Sequence, residues 1–260
     1  MLAEGKKLII AFHSYKGGTG KTLLSVNLAT TLANKGKKIC LLDLDFRAPS
    51  LQAIFETCKP EYWLNDYMNG ACGIDRVLTD CSSNYVANGK IFVGLANPST
   101  EAIREMISKD RKWEMKALGR ILSLKNSLLE KLGFDHVIFD TSPGLQYSSI
   151  NAVVSADVVF VVATPDKSDV EGTQLMISEL YELFGKKTQI IANQVPLEFI
   201  RSRNLGSKLT DLESIQSPIV GVIACSCDIH NAEGGCFLAS QKPNHQFTKV
   251  LQEIAAKIEH

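Results

Sequence analysis

The chain has 260 residues, 45% of them apolar and 22% charged, with Lys+Arg and Asp+Glu balanced at 28 each. That length can build a large core, and these shares are those of an ordinary globular protein, not of a disordered or fibrous one. The zero net charge gives no reason to expect nucleic acid or an anionic membrane as a partner.

Taken in chain order, the apolar run Leu8 to Phe12 reads as a buried strand and Thr22 to Asn34 as a helix, closed by Gly36. Lys38 to Leu42 is a second strand, running into Asp43-Leu44-Asp45. Short helical pieces, Leu51 to Phe55 and Trp63 to Asn69, fall between breaks at Pro60 and Gly70. Ile91 to Leu95 is a third strand, followed by helices from about Ser99 and over Arg111 to Lys131. Asp135 to Phe139, Asp157 to Ala163, Thr188 to Ala192 and Pro218 to Ala224 complete the strands. Helices follow Gly144, span Asp166 to Phe184, and close the chain over Gln246 to Ile258.

Strands that are apolar throughout and alternate with helices predict an α/β fold. The expected form is one doubly wound, mostly parallel sheet of seven or more strands, with helices on both faces. No repeat or linker divides the chain, so residues 1–260 are expected to form a single domain. The chain enters its first strand without a signal-peptide core, and Ala152 to Ala163 is broken by Ser155 and Asp157. A cytoplasmic location is expected. Seven scattered cysteines predict reduced thiols.

The chemistry concentrates in Lys16-Gly17-Gly18-Thr19-Gly20-Lys21-Thr22, between the first strand and its helix. Glycines let main-chain N–H groups curl around an anion at a helix N-terminus. Lys21 can then reach the β/γ-phosphates and the Thr22 hydroxyl can bind Mg²⁺. The usual phosphate-loop pattern has glycine where Tyr15 stands. A dinucleotide fingerprint fails as well, because Leu23 takes the place of its third glycine. Further strand ends carry acids. Asp140 can hold the metal opposite Thr22, directly or through water. Asn193, at the end of the sixth strand, can pair bidentately with adenine, and Pro196 stands where a guanine-type motif needs an acid. A turn-capping role for Asn193 stays open.

Lys-Gly-Gly-x-Gly-Lys-Thr resembles the deviant Walker A motif of the MinD/ParA family of P-loop ATPases. The resemblance implies that Lys16 crosses a dimer interface to the partner's nucleotide and that Asp45 positions the attacking water beside the metal. It implies that Gly144 opens the loop sensing the γ-phosphate through its N–H, that Asn193 contacts adenine, and that Asp228 completes the base pocket. ATP and Mg²⁺ are the implied ligands, with a homodimer in the ATP state and a protein activator or cargo. Asp43 is expected to be the structural member of the Asp43/Asp45 pair.

Four other segments bear on function. Cys225 and Cys227, with His230 and Cys236, could ligate a soft metal; metallocentre-maturation ATPases use paired cysteines at a dimer interface, but not in this segment, and Cys-x-Cys alone cannot complete a tetrahedral site. Asp43 to Pro49 also fits the Asp-x-Asp-x-Arg-x-Pro of bacterial-type tyrosine kinases, but no tyrosine follows Tyr181. Arg201, Arg203 and Lys208 could form a DNA-facing patch as in ParA, but three basic residues on a loop are weak evidence for one. The last helix, with Phe247, Val250, Leu251, Ile254, Ala255 and Ile258 on one face, is expected to pack on the sheet instead of a membrane.

Overall fold

The computed structural model describes residues 6–201, 215, 217–226, 229 and 237–259, with residues 199 and 201 described by main chain only. Eight strands form one sheet: β1 (Leu8–His13), β2 (Lys38–Leu44), β3 (Leu78–Asp80), β4 (Lys90–Gly94), β5 (His136–Thr141), β6 (Val158–Ala163), β7 (Lys187–Val195) and β8 (Ile219–Ala224). Their order is β3-β4-β2-β5-β1-β6-β7-β8. All pairings are parallel except the antiparallel β3–β4 edge.

The sheet is covered on both faces because its strands are apolar on both faces. On β1, Ile9 and Ala11 belong to one buried cluster, whereas Leu8, Ile10 and Phe12 belong to the other. The second cluster takes in Leu24 and Leu28 of α1 (Lys21–Asn34). It also includes Leu251, Ile254, Ala255 and Ile258 of the last helix, α12 (Gln246–Glu259). That helix therefore packs on the sheet. The opposite face is covered by α7 (Arg111–Leu124), α8 (Tyr147–Ser155) and α9 (Lys167–Met176).

The expected strands are all present, and β3 is additional. Two of the expected helices change register within their spans: α7 continues as a π-helix over Lys125–Lys131, and α9 over Ile177–Tyr181. The wider turn after α7 sets the adjacent Leu128 and Leu129 both into the core. Cys58 and Cys81 form a disulfide-bonded pair with Cα atoms 5.9 Å apart, so the expectation of reduced thiols fails for these two. Chain separation hid their adjacency.

β1 lies at the centre, with β5 and β6 on its two sides. The loop leaving its carboxyl end stands where the sheet's connections diverge, the position at which open α/β sheets bind ligands. No helix among the described residues is long and apolar enough to cross a membrane.

Candidate nucleotide site

The loop from Ser14 to Gly20 joins β1 to α1, and two glycines carry its curvature. Gly18 has φ +78° and Gly20 has φ +94°, conformations that L side chains rarely adopt. A Cβ on Gly18 would meet nothing within 4 Å, whereas one on Gly20 would run into the Asn193 amide. The loop is thus open on one side and braced on the other.

Lys21 is nearly buried, and its Nζ donates to Ser14 Oγ at 2.9 Å. Burial lowers its pKa, and the nearby Asp140, Asp45 and Asp169 oppose that shift. The Thr22 hydroxyl donates to Asp140 Oδ2 at 2.6 Å. Asp140 Oδ1 is buried without a hydrogen-bond partner among the described residues. Burial raises the Asp140 pKa to about 6, against the pull of Thr22 and Lys21. A buried carboxylate oxygen without a donor, beside a hydroxyl, fits a hard divalent cation. Thr22 and Asp140 would hold magnesium there, with Asp45 near.

The two aspartates closing β2 differ as expected. Asp43 is fully buried and accepts from the N–H groups of Asp45 (3.1 Å) and Leu51 (3.2 Å). Burial, with the neighbouring Asp140 charge, drives its pKa well above the carboxylate range. It is a fastening for the turn. Asp45 is half-buried; its Oδ1 accepts from Arg47 N (3.3 Å), Ala48 N (3.1 Å) and Ser142 Oγ (2.8 Å). The segment after β2 is thereby tied to the segment after β5.

Gly144 has φ +74°, and its N–H donates to Ser14 O at 2.9 Å. Its carbonyl lies 2.9 Å from His13 Nε2, while His13 Nδ1 meets the Tyr181 hydroxyl. Burial and the Lys21 charge lower the His13 pKa to about 3, so the ring is neutral. A single arrangement satisfies it: Tyr181 O–H donates to Nδ1, and Nε2–H donates to Gly144. Sequence reasoning missed His13. Its signal was a polar ring ending an otherwise apolar strand.

Lys16 turns back onto its own chain, donating to Asp166 Oδ1 at 2.6 Å and to Ser168 Oγ at the start of α9. Asp166 raises its pKa, and Lys16 in turn pulls the Asp166 carboxyl far below the usual range. Tyr15, in the place of the usual glycine, packs its ring over Gly172 of α9. Asn193 is buried, and its Nδ2 donates to Thr19 O at 2.7 Å.

Lys16, the Gly17–Thr22 loop, Asp45, Asp140, Gly144 and Asn193 are therefore gathered at one rim of the sheet. Asp228, Cys227, His230, Cys236, Arg203 and Lys208 lie outside the described residues, as does the side chain of Arg201. Cys225 is exposed, and no group of three potential metal ligands (His, Cys, Asp or Glu) occurs among the described residues.

A parallel sheet with a glycine loop between its central strand and a helix, ending in Lys-Thr opposite a strand-end Asp, defines a P-loop nucleotide-binding protein. A family model described as an AAA domain matches residues 7–192. The chain is 30% identical over 252 residues to an uncharacterised ATP-binding protein of Methanocaldococcus jannaschii, covering 96% of this chain and 87% of that one. It is 28% identical over 254 residues to the septum site-determining protein MinD of Thermotoga maritima, with the same coverage of 96% and 87%. The solved Pyrococcus horikoshii MinD complexed with Mg-ADP superposes with a TM-score of 0.75 at 19% identity, over 97% of this chain and 96% of that one. The chain belongs to the MinD/ParA-type P-loop ATPases.

Proposed function

We propose that this single-domain chain is an ATP-binding and ATP-hydrolysing switch. On this reading it closes face to face with a second copy when Mg·ATP is bound, and so controls a partner protein in division, DNA partitioning or the positioning of a cell structure. The observation that carries the reading is the pairing of Thr22 with Asp140 at 2.6 Å, across from a loop opened by Gly18 and Gly20.

The main-chain N–H groups of the loop bind the phosphates, and Lys21 neutralises the β/γ oxygens. A magnesium ion held by Thr22 and Asp140 supplies charge neutralisation when bound. Asp45 orients the attacking water through the carboxylate that Ser142 holds. Asn193 keeps Oδ1 and its second amide hydrogen for adenine, since only one N–H is spent on Thr19. Lys16 leaves Asp166 to place its charge on the γ-phosphate in the partner, as an arginine finger does.

Calorimetry with Mg·ATP and a phosphate-release assay test this directly. Heat of binding that disappears in Lys21→Ala, with slow phosphate release by the unsubstituted protein, is the expected result. Absence of any binding heat in the unsubstituted protein overturns the reading.

A further inference from the structure

β7 carries a defect at its carboxyl end. Its pairing with β8 runs Ala192↔Val222 and then Val195↔Ala224, so three steps on β7 match two on β8. The extra residue makes a bulge, and within it Gln194 has φ 57°, the one non-glycine positive φ among the described residues. In a regular strand, Asn193 and Gln194 would point to opposite faces. The bulge turns both toward the phosphate loop. Asn193 Nδ2 donates to Thr19 O at 2.7 Å, and Gln194 Nε2 donates to Gly18 O at 2.9 Å.

Two consecutive loop carbonyls are therefore held from one strand. Because a trans peptide is planar, holding the Gly18 carbonyl also fixes the Thr19 N–H, which points the opposite way; holding the Thr19 carbonyl does the same for the Gly20 N–H. A left-handed backbone at a glutamine is strained. No glycine relieves it, although glycine adopts this conformation freely.

We infer that Gln194 is a positioning residue for triphosphate binding, its side-chain amide locking the Gly18–Thr19 peptide so that the Thr19 N–H faces the anion. The inference rests on the nucleotide-binding reading above and adds to it a residue that acts through the loop's main chain.

Gln194→Gly separates the two effects. Relief of the backbone should leave the thermal midpoint of the unliganded protein equal or higher. Loss of the amide should weaken binding of Mg·ATP and of inorganic tripolyphosphate about three- to tenfold, the worth of one hydrogen bond. Gln194→Glu provides the second measurement: an ionised carboxylate facing the Gly18 carbonyl repels it, whereas a protonated one donates. Its affinity for tripolyphosphate, taken relative to the unsubstituted protein, should recover as pH falls through the usual carboxylate range. Unchanged affinity in Gln194→Gly, a loss that only tracks a lowered midpoint, or no relative recovery in Gln194→Glu overturns the inference. Failure of the unsubstituted protein to bind tripolyphosphate or ATP would instead overturn the nucleotide-binding reading itself.

Discussion

Asp140 is joined to Thr22 by one oxygen, while its other oxygen is buried without a hydrogen-bond partner among the described residues. Its carboxyl is consequently protonated in the folded protein up to about pH 6, against 3.8 for an unperturbed aspartate. Between those two values the folded chain binds more protons than the unfolded one, so this group's contribution is fully present below pH 3.8 and lost as pH rises through 6. Asp140→Asn should therefore stabilise the protein at pH 8, by about 2–3 kcal/mol. At pH 3.5 it should change little. Denaturant titrations at the two pH values, without magnesium, measure the difference. The same substitution should remove any magnesium dependence of nucleotide binding.

His13 has the opposite sign. Its folded pKa of about 3 lies below the ordinary 6.5, so the unfolded chain takes up the proton first. The stability it contributes is complete above pH 6.5 and drains away as pH falls toward 3, by on the order of 4 kcal/mol. Acid unfolding of the unsubstituted protein should take up one more proton in this window than unfolding of His13→Phe. The slope of unfolding free energy against pH reads that proton directly.

Lys16 and Asp166 are both substantially exposed, at 39% and 59%. Such pairs contribute little, because solvent screens them. If Lys16 must leave this contact to meet a second copy, each dimer gives up two such pairs, and Asp166→Asn should strengthen ATP-dependent dimerisation by no more than about thirtyfold. Sedimentation at several protein concentrations measures it. Lys16→Ala, by contrast, should lower turnover far more than ATP affinity.

Asp45 is fixed by Ser142 and by two backbone N–H groups, so the role proposed for it in orienting water can be removed without touching the phosphate loop. Asp45→Ala should retain ATP and stop turnover, holding the protein as a dimer in light scattering. Ser142→Ala leaves the carboxylate in place but unanchored. It should lower turnover about tenfold, with ATP affinity unchanged within about twofold.

The parallel sheet was legible because its strands are short apolar runs, four of which run into a polar residue at the rim of the site: His13, Asp43, Asp140 and Asn193. β3 was not legible, since Leu78-Thr79-Asp80 is too short for a pattern and exists only as an antiparallel partner of β4. The phosphate loop announced itself because its glycines, lysine and threonine are contiguous. The partners that hold it did not. Lys16 and Asp166 lie 150 residues apart, and Gln194 and Gly18 lie 176 apart. The bulge that brings Gln194 inward has no glycine to mark it.

The ring of Tyr15 rests where a side chain on Gly172 would have to be. A residue directly before Lys16 is thus keyed into the helix whose first turn carries Asp166 and Ser168. The cation and its resting place are mounted on one rigid piece, so neither a helix slide nor a hinge is needed to part them. Rotation about the lysine's own carbon chain suffices, a nanosecond event. The tempo of any cycle would then be set by the encounter of two molecules and the chemistry that follows.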